Sequence, residues 1–589
     1  MSPAPERLPA SAAQASGLLL LVLIVGAVAA AVSMWTFLGH LVPAGVCAIA
    51  AAAVLATWGV LTAHMQRLRA MSVLAALLST IVGCLLMAAL VHDISFDGQQ
   101  YHQQAALALA AGWNPYRDGP YVGPHALWIN GYAKGVWTWA ALFPALGLSV
   151  EIGKSINLAL ALAGGLCSFD LLRHKLRLPR GRSLLIAATA AASPVVAMQW
   201  PTLTNDGVIA SLMLVFLARA VAVVLEPAGR RGVDLATLAL VLCLLPLVKG
   251  SGAAYGVLMW LALVAALAAF GGWTSARSWA QLGAGSLVVG VLLLGFNPYV
   301  TNTLRHGHPL HPLAGAGKVD IITPNAPTGI LEHGRIVKLL GSVFSRSHSE
   351  FDGTDPAAAP PALQFKLPGT VSLSEMRTFA TKTDVRIGGF GPWFGLAMGL
   401  TAVALVPLLR PGRSRRATLA ALVVPAALLA MTLAFPEPWW ARYVPQLWLL
   451  PLSMAVALWL LVPAPRAAAG LAWAIVVVAA VDALLVAGAF AAGTALRELD
   501  HRAQLNSLRE IGRQAEPLVV DLGSTPALAH RLAMHGVRWR EAAAGEGCPS
   551  GWVPIEYTGG KVCLGVAGKQ LFVPESPLVS RLKRVLGRG

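Results

Sequence analysis

Apolar runs of about 18 residues or more recur along this chain, and they bound what it can fold into. A helix of that length crosses the hydrocarbon core of a bilayer, where only helices and closed barrels satisfy their own backbone. About 13 such spans are expected, near residues 16–38, 41–63, 71–92, 150–172, 184–202, 207–225, 235–250, 252–271, 279–297, 390–409, 417–435, 446–463 and 469–493. The predicted fold class is therefore an all-α polytopic membrane protein. Composition agrees: 56% of the residues are hydrophobic and only 12% charged, against roughly 25% charged in a soluble domain.

The net charge of +17 invites a nucleic-acid reading, but the basic residues sit in short loops between apolar runs. Arg67 and Arg69 form one group, and Arg173, Lys175, Arg177, Arg180 and Arg182 the densest one. Arg230, Arg231, Arg277, Arg410, Arg413, Arg415, Arg416 and Arg466 follow. The short loops of the other side carry little beyond Lys249 and Arg442. This is the positive-inside pattern. It predicts a multi-pass protein of a bacterial cytoplasmic membrane, with its N-terminus cytoplasmic and its C-terminal region on the outer, periplasmic side. No nucleic-acid partner is expected; the bilayer is. Arg7 precedes a long apolar run without a small-residue cleavage site, so the first span reads as retained.

Three parts are expected: an N-terminal hairpin of spans at 1–70, a transmembrane module at 71–493 and an extramembrane domain at 494–589. Two long outer segments, 93–149 and 298–389, belong to the module. The second carries a helical pattern through Ile330, Ile336, Val337, Leu340 and Phe344, with Arg335 and Lys338 on the other side. It reads as an interfacial amphipathic helix over a site; 352–361 reads as loop. The mixed composition of the tail suggests a small α/β domain. Cys47, Cys84, Cys167 and Cys243 lie in apolar runs and read as core residues. Cys548 and Cys563 read as a disulfide in an oxidising space, or otherwise as two free thiols.

The stretch 93–116 follows the third span and sets two carboxylates, Asp93 and Asp97, at the membrane surface. Tyr101, Ala105, Leu109 and Gly112 follow Asp97 at steps of three and four, which predicts a short helix starting near Asp97. Pro115 ends it by disfavouring helical geometry at Asn114. An ionisable group at the lip of a membrane bundle is a functional candidate; an Asp at that place can equally be a helix cap. Other polar groups fall at outer span ends: Asn205 and Asp206, Lys249, then Asn297, Tyr299 and Asn302, then Glu437, Arg442 and Tyr443. Each alone could be an interfacial anchor. Together they supply carboxylates for base or electrostatic work and cations for a phosphate. His306, His308 and His311 match no strong zinc signature. No Ser triad, P-loop or dinucleotide fingerprint is present.

These residues in this order resemble the GT-C superfamily of membrane glycosyltransferases, close to the protein O-mannosyltransferase and lipid A aminoarabinose transferase branch. The family's acidic residue in a first large outer loop, followed by Tyr and a small-residue helix, is similar to Phe96-Asp97-Gly98-Gln99-Gln100-Tyr101 and 105–112. The family pair is Asp-Glu, and here Gly98 takes the second place. An aromatic-rich helix, a Gly and a span ending in basic residues resemble 127–175. The later Asp, the Lys-Gly and the Arg-Tyr of the family resemble Asp206, Lys249-Gly250 and Arg442-Tyr443. The resemblance covers 71–300 well and 417–463 weakly.

The resemblance implies inverting transfer of a sugar from a polyprenyl-phosphate donor to a hydroxyl on a lipid, glycan or protein acceptor at the outer face. It implies Asp97 as general base and Asp206 as a further catalytic candidate; Asp93, at the membrane surface but less well matched, is a third. It implies Lys249 and Arg442 on the donor phosphate; Tyr101 and Tyr443 from the matched stretches, with His102 beside Asp97 and Asn205 and Glu437 at outer span ends, are the substrate-contact candidates. No cofactor and no metal are expected. The rival readings are a lipid-linked glycan polymerase or ligase and a non-enzymatic transporter. A transporter would show polar, broken helices near the midplane, whereas these polar groups crowd one face.

Overall fold

A computed structural model describes residues 11–63, 66–226, 231–349, 362–409, 415–461, 466–514 and 516–580. Arg7, Arg230, Arg410, Arg413, the loop 352–361 and the side chains of Arg415 and Arg416 lie outside the description.

The chain is a multi-pass helical membrane protein. Among the described residues, seven helices are long and apolar enough to cross a bilayer: Ala12–Phe37, Pro43–Thr62, Arg67–Ala89, Val150–Lys175, Asp206–Leu225, Gly250–Gly271 and Arg466–Gln514. An eighth, Trp273–Leu293, bends by 66° into Phe296–His306. Four shorter apolar helices, Gly232–Val248, Phe394–Leu408, Thr418–Ala434 and Pro445–Leu460, pack among them. The expected count of about 13 spans is not reproduced. The run at 184–202 divides into Arg180–Ala191 and Pro194–Gln199. Pro194 disfavours helix at Ser193, and the Ser193 hydroxyl accepts from the Val196 N–H and starts a new helix.

The last helix, Arg466–Gln514, holds 49 residues, about 73 Å at 1.5 Å per residue. It leaves the ~30 Å hydrocarbon core and continues past 494. Its final turns, through Leu505 and Leu508, pack into the core of the tail domain with Val520, Leu532, Ile555 and Val562. That domain has one four-stranded sheet in the order β2-β1-β4-β3. β1 (Leu518–Asp521) pairs in parallel with β2 (Trp539–Glu541). It pairs antiparallel with β4 (Lys561–Cys563), which also takes β3 (Trp552–Pro554). A disulfide joins Cys548 to Cys563, with Cα atoms 5.5 Å apart.

The buried arginine at one end of the bundle is paired with acids, as an apolar interior favours. Arg219 meets Asp170 at 2.8 Å and Asp234 at 3.0 Å, near the helix ends remote from Asp97. The tail domain docks at the other end. Arg531 donates to the Asp93 carbonyl at 2.8 Å, to Glu151 at 2.9 Å and to Gln99 at 3.2 Å. Gln99 in turn donates to the Tyr557 carbonyl. Segment 93–149 and the tail domain therefore share one side of the bundle.

The second outer segment contains the amphipathic helix Arg335–Val343. Its apolar residues Ile336, Val337 and Leu340 face outward, while Lys338 is buried and paired with Glu437 at 2.7 Å. Leu339 and Val343 are also buried, in a hydrophobic cluster, so the helix seats one apolar edge and Lys338 in the protein and leaves a second apolar edge exposed, which suits a helix lying at a lipid interface.

Candidate active site

The site begins at a break in the backbone. Lys249 is a single extended residue between the helices Gly232–Val248 and Gly250–Gly271. Pro246, in the last turn before it, has no N–H to give. The carbonyls around the break are taken by side chains: Tyr299 donates to the Pro246 oxygen at 2.6 Å and Asn205 to the Val248 oxygen at 3.1 Å. Gly135 packs against the same turn, where a Cβ would lie 2.7 Å from the Leu247 Cβ.

The Lys249 ammonium points at Asp206, with Nζ 2.9 Å from Oδ1. Asp206 opens the helix Asp206–Leu225, where the helix dipole favours a carboxylate. Its other oxygen lies 2.9 Å from Arg442 Nε. The rest of that guanidinium meets Asp384 at 3.1 Å and Asp97 at 3.4 Å. Side-chain exposure rises through the cluster from 3% at Asp206 and 6% at Lys249 to 14% at Arg442, 22% at Asp384 and 27% at Asp97. Asp206 and Lys249 thus form the floor and Asp97 the rim. Aromatic rings wall it: the Arg442 guanidinium lies 5.2 Å from the Trp440 ring centre and Lys249 Nζ 5.2 Å from that of Tyr443, both within cation–π range.

Asp97 sits in the turn before a π-helical turn, Gly98–His102, that leads into Gln103–Ala110. Its side chain makes no capping bond. Ser95 does that work, accepting from the Gly98 N–H. Tyr101 and His102 lie behind Asp97 in an aromatic nest with Tyr132, Trp128 and Trp137. The His102 Nδ1 accepts from the Trp137 indole at 2.7 Å, so the neutral ring carries its proton on Nε2. Burial, the largest influence, pushes the His102 pKa down to about 3, and the ring is neutral at pH 7.

Other predicted candidates stand apart. Asp93 is fully buried and accepts from Ser95 N and Oγ and from Leu203 N, at 2.6–2.8 Å. It closes the loop onto the span instead of joining the cluster. Gly98 makes room for it, since a Cβ there would fall 2.1 Å from Asp93 Oδ2. No larger residue fits at 98 without displacing that carboxylate. Glu437 is held by Lys338 and by the Trp439 indole at 2.9 Å, and Asn205 by the Lys249 break.

Asp384 and Arg386 escaped the sequence reading. Asp384 also accepts from the Trp440 indole at 2.9 Å, and the Arg386 guanidinium lies 5.6 Å from the same ring centre. The available signal was their position, two charges flanking Val385 just before an apolar run. Among the described residues, no group of three or more His, Cys, Asp or Glu side chains has the geometry to hold a metal ion.

Below the cluster, an apolar groove of about 380 Å³ runs between helices, lined by Met213, Phe216, Met259, Val424 and Met431. Gln446 lies at its polar end and bonds Thr432. Next to it, the Tyr255 hydroxyl donates to the Tyr443 carbonyl, which joins groove to cluster.

A family described as "Predicted membrane protein (DUF2142)" matches residues 169–354. That segment includes Asp206 and Lys249 but neither Asp97 nor Arg442. No curated protein matches the chain. Among solved structures, the crystal structure of ArnT from Cupriavidus metallidurans bound to undecaprenyl phosphate is similar, with 14% identity over 80% of this chain and 86% of that one. Its TM-score against this chain is 0.38.

Proposed function

We propose that this protein is a membrane glycosyltransferase that moves a sugar from a polyprenyl-phosphate donor to an acceptor hydroxyl at the outer face of the cytoplasmic membrane. The observation that carries this reading is the Asp206–Lys249–Arg442 cluster, with Asp97 at its rim, joined through Tyr443 and Tyr255 to an apolar groove. Two cations side by side suit a phosphate, and the groove suits the hydrocarbon tail of its carrier. The sidedness of the basic loops supports the outer orientation.

In this reading Asp97 accepts the proton of the acceptor hydroxyl as that oxygen forms its bond to the anomeric carbon. The bond from that carbon to the phosphate oxygen breaks on the opposite face, giving inversion. Polyprenyl phosphate leaves with the bonding electron pair, and Lys249 and Arg442 stabilise its growing charge. Asp206 holds both cations in place. Tyr101, His102 and Tyr443 wall the sugar pocket.

The test is transfer of radiolabel from a polyprenyl-phosphate sugar by the purified protein in liposomes, read by thin-layer chromatography. Label moved to a new product with release of polyprenyl phosphate supports the proposal. Label that crosses the bilayer still attached to its lipid supports a transporter and sinks it.

A further inference from the structure

At the opposite end of the bundle lies a larger crevice, of about 810 Å³, that the reaction does not use. It opens between the helices Ala12–Phe37, Arg67–Ala89, Val150–Lys175 and Arg180–Ala191. Its walls are apolar, with Val73, Leu162, Leu166, Leu184 and Ala187 among them. Its rim carries Arg69, His174 and Arg180. The wall from Arg180 to Ala191 is about 16 Å long at 1.5 Å per residue, close to half of the ~30 Å hydrocarbon core. The crevice is thus one leaflet deep. It exists because Arg67–Ala89 packs loosely, burying only Ala70, Val73, Leu77, Cys84 and Ala88.

Among the described residues, no carboxylate compensates the rim charge. The nearby carboxylates are already taken: Asp170 by Arg219 and Ser11, and Glu226 by Lys175. Among the described residues, neither Arg69 nor Arg180 has an ion-pair partner. His174 rests edge-on against Phe169, and both line the crevice. Two free guanidiniums on separate helices, above a hydrocarbon slot of one-leaflet depth, match a phosphate headgroup with its acyl chains below.

We propose that this crevice binds an anionic glycerophospholipid of the leaflet opposite the catalytic cluster, its phosphate between Arg69 and Arg180. The site is separate from the donor site: Arg69 begins the helix whose far end leads to Asp97. The bound lipid fills the gap that the loosely packed third span leaves.

The test reconstitutes the full chain in nanodiscs of phosphatidylglycerol or phosphatidylcholine, then counts retained lipids by native mass spectrometry after delipidation in detergent. Wild type is expected to keep phosphatidylglycerol and not phosphatidylcholine. Arg69→Ala with Arg180→Ala should reduce that occupancy by about tenfold or more, as two lost cationic contacts imply. Leu162→Trp, which fills the crevice and keeps both arginines, should reduce it as well. Equal retention of the two lipids would overturn the proposal, as would unchanged occupancy in the arginine variant. So would retention that appears only once residues 2–10 are removed, because the chain's own N-terminal segment would then be the occupant.

Discussion

Arg442 Nη2 lies 3.4 Å from Asp97 Oδ2, the longest of the three ion-pair contacts that this guanidinium makes. The short contact, 2.9 Å, goes to buried Asp206. An arriving phosphate competes most easily for the long contact at the exposed rim. Taking Nη2 would release Asp97 at the moment a base is needed, while Asp206 keeps the arginine in place.

That geometry makes Arg442→Lys far from conservative. An ammonium cannot meet Asp206, Asp384 and a phosphate together, because only the planar fork presents donors in three directions. The expected result is a fall in kcat/KM for the donor of about 10–100-fold, with the folded fraction unchanged by size-exclusion chromatography. Donor kinetics equal to wild type would make Arg442 an interfacial anchor.

Sidedness is tested by labelling. In a Cys47→Ser background, Arg180→Cys should resist an impermeant thiol reagent in intact cells, and Lys318→Cys, exposed in the second outer segment, should react. The opposite pattern would invert the topology and remove the outer-face reaction.

The disulfide between Cys548 and Cys563 closes a loop with a sequence separation of 15, for which the chain-entropy model gives about 3 kcal/mol. Alkylation of the unreduced protein should leave both sulfurs unlabelled in mass spectra. Replacing both by Ser should lower the melting temperature of the tail domain. Two labelled thiols would remove this support for a tail in an oxidising space.

Asp93 yields a pH signature of stability instead of catalysis. Burial pushes its pKa up to about 6 from 3.8. The native state therefore binds more protons than the unfolded chain between about pH 4 and 6, so this carboxyl's contribution falls as pH rises through that window and is level above it. Asp93→Asn lacks the slope and turns an amide donor towards the Ser95 or Leu203 N–H, at a cost of about 1–3 kcal/mol. Its melting temperature should lie below wild type, with the gap widest near pH 4 and narrowing toward pH 6. A gap independent of pH would contradict this.

The contrast between Asp93 and Asp97 marks where the sequence stops being legible. Four residues apart, both follow the same span. What separates them is Leu203, whose N–H arrives from 110 residues away, and Arg442, from 345 away. Periodicity cannot report such contacts. It does report the spans, because bilayer thickness demands long apolar runs, and it marks Lys249, Asp206 and Arg442, because charge at a span end stands out. Asp384 stood in a loop without periodicity, and its one signal was a pair of charges just before an apolar run. The Ser193-Pro194 break was written in the sequence, but the apolar residues on both sides masked it. The last helix outran its expected end because beyond 494 its apolar stripe serves the tail domain, not lipid.

Asp97 is the residue on which the mechanism stands. Its carboxylate caps no helix, faces Arg442 and is the most exposed acid of the cluster. Asn keeps the shape and a hydrogen-bond acceptor but has no charge and cannot take a proton. If Asp97 is the base, Asp97→Asn should lower turnover by about 10²–10⁴. Donor affinity should stay within a few-fold, since Lys249 and Arg442 remain on Asp206, and the melting temperature should stay near wild type. Asp93→Asn is the control with the opposite signature: reduced stability, and turnover per folded molecule close to normal. Both variants are assayed for sugar transfer in liposomes at equal amounts of folded protein. Near-normal transfer by Asp97→Asn with loss in Asp93→Asn would move the base to Asp93, against the geometry. Near-normal transfer by both would end the acid–base mechanism and leave the two cations to carry the reaction.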